Sequence, residues 1–203
     1  MGELCKTLRD EHRIIGRVLN AMASEAVRID SGEPVNADFV RSAVTFFNEY
    51  ADGFHHLKEE TILFPMLERA GLPRGNSPVD TMISDHIDGR VLITAIADCI
   101  DEAVEGRADA ILRLSTGMHT FVVLVRKHIE QEDNMIYPMA EQMIKGTARV
   151  EVEKAFAGAD EQMTDAARRD HAWAESLIAS ECLSGTTEPV ELVREDCDLY
   201  VQV

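Results

Sequence analysis

Two histidine–glutamate pairs carry the most informative chemistry in this 203-residue sequence. His55 and Glu59 are four residues apart, and so are His128 and Glu132. Residues at this spacing lie one turn apart on the same face of an α-helix, so the imidazole and the carboxylate of each pair can reach one point. Imidazole nitrogens and carboxylate oxygens are ligands of iron, manganese and zinc. Each pair therefore predicts part of a metal site.

The surroundings of the two pairs form an internal repeat. Pro65 and Pro138 each follow the glutamate of their pair by six residues, and the tetrapeptide Gly-Arg-Val-Leu occurs in both halves with the same shift along the chain as the pairs. His12 and His86 precede the tetrapeptides with a shift that is longer by one position. Each half of the repeat thus contributes one histidine and one His-x-x-x-Glu pair.

A glutamate in an apolar helical core is costly unless it is paired or binds a metal. Both glutamates lie on apolar stripes, and no inward lysine is predicted near them. We therefore expect the two carboxylates to face each other and to bridge two cations, with the two histidines of each half as end ligands of one ion. Hydrogen-bonded core histidines are the alternative, which the matched halves disfavour. The predicted ligands are His12, His55, Glu59, His86, His128 and Glu132.

Four long helices are predicted to position these ligands. Apolar residues at three- and four-residue spacing predict helices over 4–30, 37–70, 79–105 and 108–144. Ile83 and Met135 are expected to face inward, and Pro65 is expected to bend or end the second helix. Short connections favour an all-α fold, an up-down-up-down four-helix bundle with additional C-terminal helices and a short extended tail.

The predicted domain division falls after residue 146. Residues 1–146 form the bundle, and residues 147–203 form a helical appendage and tail packed on it. In the tail, 190–193 and 199–203 are interpreted as short strands or as extended chain. His119 is nine residues before His128, about 13 Å along a helix, and should not reach the metal site. Tyr137 is expected to pack in the core.

The composition excludes several classes of partner. The formal charge is −17, from 37 acidic and 20 basic residues, so the surface repels nucleic acid and anionic membranes. No stretch approaches the roughly 18 apolar residues of a membrane span, and no signal peptide is recognised. The four scattered cysteines form no Cys-x-x-Cys motif. We expect a cytoplasmic protein.

The motifs around these residues resemble the hemerythrin-like (HHE cation-binding) family. The resemblance covers residues 4–145 and lies in Glu11-His12-Arg13, His55-His56-x-Lys58-Glu59-Glu60, Asp85-His86-x-x-Gly89-Arg90 and His128-Ile129-x-x-Glu132-Asp133. It implies a non-haem centre of two iron ions with an oxo- or hydroxo-type bridge, held by the six predicted ligands. Manganese and zinc are the less favoured metals.

Two departures from the oxygen-carrying members of that family affect the expected chemistry. Those members have His-x-x-x-His on the third helix, where this chain has Arg90, and His-x-x-x-x-Asp on the fourth, where it has His128-x-x-x-Glu132. Reversible oxygen carriage is therefore not expected. His56 is a candidate replacement ligand, and a hydrogen-bonding role is its alternative. Arg90 either pairs with a carboxylate of the site or points to solvent.

The resemblance implies a protein that binds or senses oxygen or nitric oxide, or that handles peroxide. An enzyme that dismutates peroxide or reduces nitric oxide is the first alternative. Iron donation for iron–sulfur cluster repair is another, although that branch typically carries an N-terminal cysteine-containing region that Cys5 alone matches poorly. A purely structural metal site is the last. A sensor would act through a protein partner or a homo-oligomer.

Overall fold

The computed structural model describes residues 3–73 and 75–184, with the backbone alone over 178–184. All regular secondary structure in this part of the chain is helical. The six helices are α1 (Lys6–Asp30), α2 (37–69), α3 (Pro78–Val104), α4 (Ala108–Met143), α5 (Gly146–Glu161) and α6 (Asp165–Ser184). The predicted all-α fold is confirmed, and the predicted strands at 190–193 and 199–203 lie outside the described residues.

Neighbouring helices of the bundle run antiparallel. Between α1 and α4, His12 contacts Asp133 and Asp30 contacts His119, so residue numbers rise along one helix as they fall along the other. The contacts of α1 with α2, of α2 with α3 and of α3 with α4 show the same reversal. The first four helices therefore form an up-down-up-down bundle.

Specific residues set where the helices begin and where the chain turns. The hydroxyl of Ser77 accepts from the amide of Asp80, whose carboxylate accepts from the amide of Ser77. This capping box satisfies free amides at the start of α3. Gly32 and Gly106 have φ of 84° and 85°, in the left-handed region that glycine occupies at little cost. These glycines allow the sharp turns after α1 and α3.

Wider, π-helical turns occur in α2 and α4, and each helix has one just before its proline. They span Phe47–His56 and Glu59–Leu63 before Pro65, and Glu132–Ile136 before Pro138. Proline has no amide hydrogen and crowds the carbonyl four residues earlier, and a wider turn relieves both problems. Helix α2 therefore continues beyond Pro65 instead of ending there. The wide turns also carry several of the predicted ligands.

Two apolar clusters fill the bundle and leave a polar layer between them. One cluster contains Ile15, Phe47, Ile93 and Phe121, and the other contains Leu8, Leu63, Met82 and Ile136. On every bundle helix the predicted ligands lie between members of the two clusters. The site is thus held by packed apolar side chains on both sides.

Individual side chains depart from the predicted apolar stripes. Ile83 and Met135 are 36% and 37% exposed, so the prediction that they face inward is wrong. The inner face of α3 is centred on Met82 and His86, and Ile83 lies one position away from it. Met135 lies in a π-helical turn, which rotates the following residues relative to an α-helical stripe.

Helix α6 packs against aromatic residues of α2. The Trp173 ring of α6 lies 6.1 Å from Phe39 and 6.0 Å from Phe46, between ring centroids. The division of the chain at residue 146 stays a prediction. Within the described residues, α4 is long and apolar enough, by length and composition, to cross a membrane. A bundle core helix passes the same test, and α4 carries buried His128 and Glu132.

Candidate metal centre

All four bundle helices contribute side chains to the polar layer. Helix α1 supplies His12, α2 supplies His55 and Glu59, α3 supplies His86, and α4 supplies His128 and Glu132. None of the six is more than 4% exposed. The structure thus brings the six predicted ligands together, and their coordination of a metal stays a prediction.

The two glutamates each lie between histidines of both halves. Oε2 of Glu132 lies 3.1 Å from Nε2 of His12 and 3.2 Å from Nε2 of His128. Glu59 has the same relation to the other two histidines, with Oε2 at 3.7 and 3.6 Å from their Nε2 atoms. Both carboxylates therefore occupy the middle of the layer.

The donor atoms form two groups, each compact enough for one cation. Within a group, the donor atoms all lie within 4.8 Å of one another. The first group is His12, His55, Glu59 and Glu132, and the second is His56, Glu59, His86 and His128. The four predicted histidines divide between the groups by halves of the repeat, and Glu59 belongs to both groups.

Two outer imidazole nitrogens are held by carboxylates from the opposite half. Nδ1 of His86 lies 2.7 Å from Oε1 of Glu60, and Nδ1 of His12 lies 3.1 Å from Oδ1 of Asp133. Glu60 and Asp133 are equivalent positions of the repeat, since each directly follows the glutamate of its pair. Because an ionised carboxylate can only accept, Nδ1 carries the hydrogen and Nε2 presents its lone pair inward.

The other two histidines each face a carboxylate on the first helix of their own half of the repeat. Nδ1 of His55 lies 2.8 Å from Oε2 of Glu11. Nδ1 of His128 lies 3.6 Å from Oδ2 of Asp85, which is too long for a hydrogen bond. Glu11 and Asp85 are again equivalent, since each directly precedes the first histidine of its half. The geometry is that of carboxylate–histidine–metal sites, in which the acid fixes the ring orientation.

His56 has no histidine counterpart in the second half, where the equivalent residue is Ile129. Its ring stacks on His86 with centroids 3.8 Å apart and 12° between planes. Its Nδ1 lies 3.2 Å from Oδ1 of Asp52. This orientation leaves Nε2 available to the second donor group.

Arg90 binds the carboxylates that orient His56 and His86. Its Nε donates to both oxygens of Asp52 at 2.9 and 3.0 Å, and its Nη2 donates to Glu60 at 2.7 Å. Burial alone would raise the pKa of Asp52, but hydrogen bonds from His56 and Arg90 lower it to about 2. Arg90 thus pairs with carboxylates of the site, one of its two expected roles.

Tyr137 lies inside the site, although the sequence favoured a packing role. Its hydroxyl donates to Oε1 of Glu59 at 2.6 Å and lies 3.2 Å from Nε2 of His12. The equivalent residue in the first half is Phe64, which stacks near His86 with centroids 6.0 Å apart. Only one half therefore supplies a hydroxyl.

The inward atoms are arranged as a cation would require. Nε2 of His55, Oε2 of Glu59 and both oxygens of Glu132 are buried without a hydrogen-bond partner. Burial raises the pKa of Glu59 well above its ordinary range, and the facing carboxylate of Glu132 raises it further. Burial also opposes ionisation of Glu132, but His128 and His12 outweigh it and hold that pKa well below the usual value.

The protonation of two of the imidazoles also suits metal binding, whereas neighbouring acids outweigh burial and raise the pKa of His12 and of His128. Burial lowers the pKa of His86 to about 3, aided by the neighbouring His56 and His128, and it lowers the pKa of His55 well below the usual value. Their Nε2 lone pairs are therefore free at neutral pH. Lone pairs that converge in a buried layer fit a cation, and this mixed donor set fits iron, manganese or zinc.

Sequence reasoning assigned no orienting role to the acids around the ligands, and it missed one buried lysine. The orienting acids Glu11, Glu60, Asp85 and Asp133 each adjoin a predicted ligand in the sequence, a signal that could have found them. Lys58 is only 2% exposed, so the expectation of no inward lysine is wrong. Its ammonium lies over the Phe54 ring and pairs with Glu11, which makes burial tolerable.

Two other histidines lie apart from the donor groups. Nε2 of His119 bonds Oδ2 of Asp30 at 2.8 Å on the exposed surface. The His171 ring, in α6, lies 5.4 Å from the Tyr50 ring.

A small cavity adjoins the imidazoles. It encloses about 30 Å³, enough for one or two water-sized molecules. Its walls combine the five site histidines with apolar side chains that include Ile15, Phe47, Ile93 and Phe121. Arg90 also lines it. The space next to the donor groups therefore suits a small molecule of low polarity.

Comparison with known proteins places the chain in a family. Residues 4–140 match the Hemerythrin HHE cation binding domain. The iron-sulfur cluster repair protein YtfE of Pectobacterium atrosepticum is 26% identical over 135 residues, which cover 64% of this chain and 60% of that protein. YtfE of Yersinia pseudotuberculosis is 26% identical over 133 residues, with the same coverage. The chain thus spans about 60% of these relatives. No solved structure matches significantly.

The family match covers all the residues of the two donor groups. The observed bundle, the repeated His-x-x-x-Glu pairs and the matched range therefore agree with one another. The chain belongs to the hemerythrin HHE cation-binding domain family.

Proposed function

We propose that this chain is a non-haem di-iron protein that binds or senses a small ligand, oxygen or nitric oxide, or handles peroxide. The observation that carries the proposal is the position of the two glutamates. Oε2 of Glu132 is nearly equidistant from His12 and His128, one histidine of each donor group. Glu59 is shared by both groups. Carboxylates so placed can bridge two ions.

The donor set supports iron over zinc. Each group offers four protein donors of imidazole and carboxylate type, which octahedral iron accepts with positions left open. Structural zinc sites are usually tetrahedral and closed, and they favour cysteine and histidine. Within the described residues, both cysteines are buried outside the donor groups.

The cavity supports a ligand of diatomic size. About 30 Å³ of space next to five imidazoles is enough for a molecule the size of oxygen, nitric oxide or peroxide. Iron with open positions would supply ligand binding and electron transfer to that molecule. The chain's own residues orient the imidazoles, exclude bulk water with apolar walls, and place the Tyr137 hydroxyl against Glu59.

Ligand addition to the reduced protein tests this proposal. The purified chain is reduced without oxygen, and absorption spectra are recorded before and after oxygen, nitric oxide or peroxide. We expect a stoichiometric change in near-ultraviolet or visible absorption with at least one of them. Steady oxygen evolution from excess peroxide, or consumption of nitric oxide with excess reductant, would assign the enzymatic alternatives. An iron-loaded chain whose spectrum responds to none of the three would contradict the proposal.

A second candidate function is iron donation for iron–sulfur cluster repair, and the names of the relatives favour it. Cys5 is fully buried, so its thiol could not contact a partner cluster in this conformation. Incubating the iron-loaded chain with an enzyme whose cluster has been damaged tests the idea. Recovery of that enzyme's activity, matched by iron loss from this chain, would support donation. Iron retention without recovery would reject it.

We also propose that the protein acts in the cytoplasm through a protein partner or a homo-oligomer. The strong negative charge of −17 supports this proposal, because it disfavours nucleic acid and anionic membrane surfaces as partners. Cell fractionation checks the location, and light scattering of the purified chain checks the oligomeric state. Recovery in the membrane fraction would contradict the location.

A further inference from the structure

A series of charged side chains in contact connects helix α5 to the first donor group. The ammonium of Lys58 pairs with Oε1 of Glu11 and lies 3.0 Å from Oδ1 of Asp160. The other carboxylate oxygen of Glu11 holds Nδ1 of His55 at 2.8 Å. The connection therefore runs from Asp160 through Lys58 and Glu11 to His55.

The inner part of this connection is shielded from water, and its outer end is not. The side chains of Lys58 and Glu11 are 2% and 8% exposed, whereas that of Asp160 is 39% exposed. The ammonium also lies 4.0 Å from the centroid of the Phe54 ring. Buried charges act on their neighbours with little screening, so Lys58 acts on the site more strongly than Asp160 does.

The second half of the repeat lacks this arrangement. The residue equivalent to Lys58 is Gln131, and the equivalent of Glu11 is Asp85. Gln131 carries no charge, and Asp85 lies 3.6 Å from His128 instead of at hydrogen-bonding distance. A buried ammonium therefore accompanies the His55–Glu11 pair and not the equivalent His128–Asp85 pair.

Asp160 also lies outside the part of the chain that matches the family, residues 4–140. It belongs to α5, which spans Gly146–Glu161. The connection is thus made between a family ligand position and a helix that the family match does not include.

We propose that Lys58 and Asp160 are positioning residues through which the C-terminal helices set the cation affinity and reduction potential of the ion held by His55. The inference rests on the proposed function for the identity of that ion as iron. Lys58 repels the ion and balances Glu11, so it favours the less positive oxidation state. Asp160 partly offsets Lys58 and favours the more positive one.

The sign of each effect follows from charge alone. Asp160→Asn removes a negative charge, so the reduction potential should rise and the affinity for a divalent cation should fall. Lys58→Met removes a positive charge while keeping an unbranched side chain, so the potential should fall and the affinity should rise. The shift in potential should be larger for Lys58→Met than for Asp160→Asn, because Lys58 is buried and Asp160 is partly exposed.

The full-length chain and three single variants test this inference. Redox titration of the iron-loaded proteins, followed by near-ultraviolet absorption, gives the potentials. Competition with a chelator for zinc gives the cation affinity without dependence on iron. Glu153→Gln is the matched control, because Glu153 lies on the same helix and pairs with Arg149 at 2.9 Å instead of with Lys58.

Opposite shifts for Asp160→Asn and Lys58→Met, with no shift for Glu153→Gln, are the expected result. Shifts of the reduction potential in the same direction in both variants would indicate general loosening of the helix contact and would overturn the inference. An unchanged potential in Asp160→Asn would also overturn it. If Lys58→Met does not fold, the comparison of Asp160→Asn with the control Glu153→Gln still tests the inference. A wild-type chain that holds no iron defeats the proposed function, whereas the zinc affinities still decide this inference.

Discussion

The carboxylate of Asp133 lies 3.1 Å from Nδ1 of His12, and this contact joins the two halves of the internal repeat. In the equivalent contact, at 2.7 Å, the first half supplies the acid, Glu60, and the second half supplies the histidine, His86. Each half thus orients a predicted ligand of the other. Because of this exchange, the donor layer forms only when both halves are folded together.

The two central glutamates should be required for both ions. Glu59→Ala and Glu132→Ala each remove a carboxylate that lies between the donor groups. We expect each variant to lose most of its iron, measured by elemental analysis of the purified chain. Glu130→Ala, an exposed acid on the same helix as Glu132, is the control and should keep it. Two irons per chain in either central variant would disprove its bridging role.

His56 should contribute to the binding of one ion only. His56→Ile installs the residue that the second half has at the equivalent position, Ile129. We expect the iron content to fall towards one per chain, because only the second donor group loses an imidazole. His119→Ala should retain both ions, since His119 is bonded to Asp30 on the surface. An unchanged iron content in His56→Ile would assign His56 a hydrogen-bonding role alone.

Arg90 should support metal binding without touching the metal. Arg90→Gln releases Asp52 and Glu60, which orient His56 and His86. Loss of such supporting contacts typically costs about 10–100-fold in metal affinity, measurable by chelator competition. Arg126→Gln, which loses only a surface contact with Asn20, is the control. Equal metal affinities in Arg90→Gln and Arg126→Gln would show that Arg90 does not support metal binding.

The hydroxyl of Tyr137 should stabilise the fold through Glu59. Tyr137→Phe leaves Oε1 of Glu59 without its donor, and an unsatisfied buried polar atom costs about 1–3 kcal/mol. We expect the free energy of unfolding, from urea denaturation, to fall by about that amount. Tyr50→Phe is the matched control, because Tyr50 is also buried but packs against Phe46 and His171. Equal losses in the two variants would contradict the assigned contact.

Metal affinity should rise with pH. Although burial opposes the charged form, Glu132 and Asp85 raise the pKa of His128 to about 9. Its imidazole is therefore protonated below that pH and must lose a proton to bind a metal. We expect the apparent zinc affinity to rise about tenfold per pH unit between pH 6 and 8 for this one proton. A flat pH profile would mean that His128 binds no metal or is already neutral.

The helices and the donor layer could be predicted from the sequence because both depend on local periodicity. His55 and Glu59 share a helical face whatever packs against them, and the repeat places a second pair opposite. The contacts of Lys58 and Arg90 could not be predicted, because they depend on which helix lies beside them. The π-helical turns before Pro65 and Pro138 also alter the register, so Met135 is exposed where an α-helical pattern turns it inward.

The role of Tyr137 shows a similar limit. The aromatic residue before each proline repeats as Phe64 and Tyr137, which indicates a shared packing position. The role of the additional hydroxyl of Tyr137 is evident only from the structure, where it lies 2.6 Å from Oε1 of Glu59. Long-range pairs of this kind are set by the antiparallel arrangement of the helices and not by local spacing.

The central claim is that Glu59 and Glu132 remain buried because cations neutralise them. The most direct test measures the iron content and the melting temperature of the wild-type chain before and after removal of metal by a chelator. We expect two irons per chain, a clear fall in melting temperature on their removal, and recovery when ferrous iron is restored. A chain that contains no metal and melts at the same temperature with and without chelator would contradict this claim.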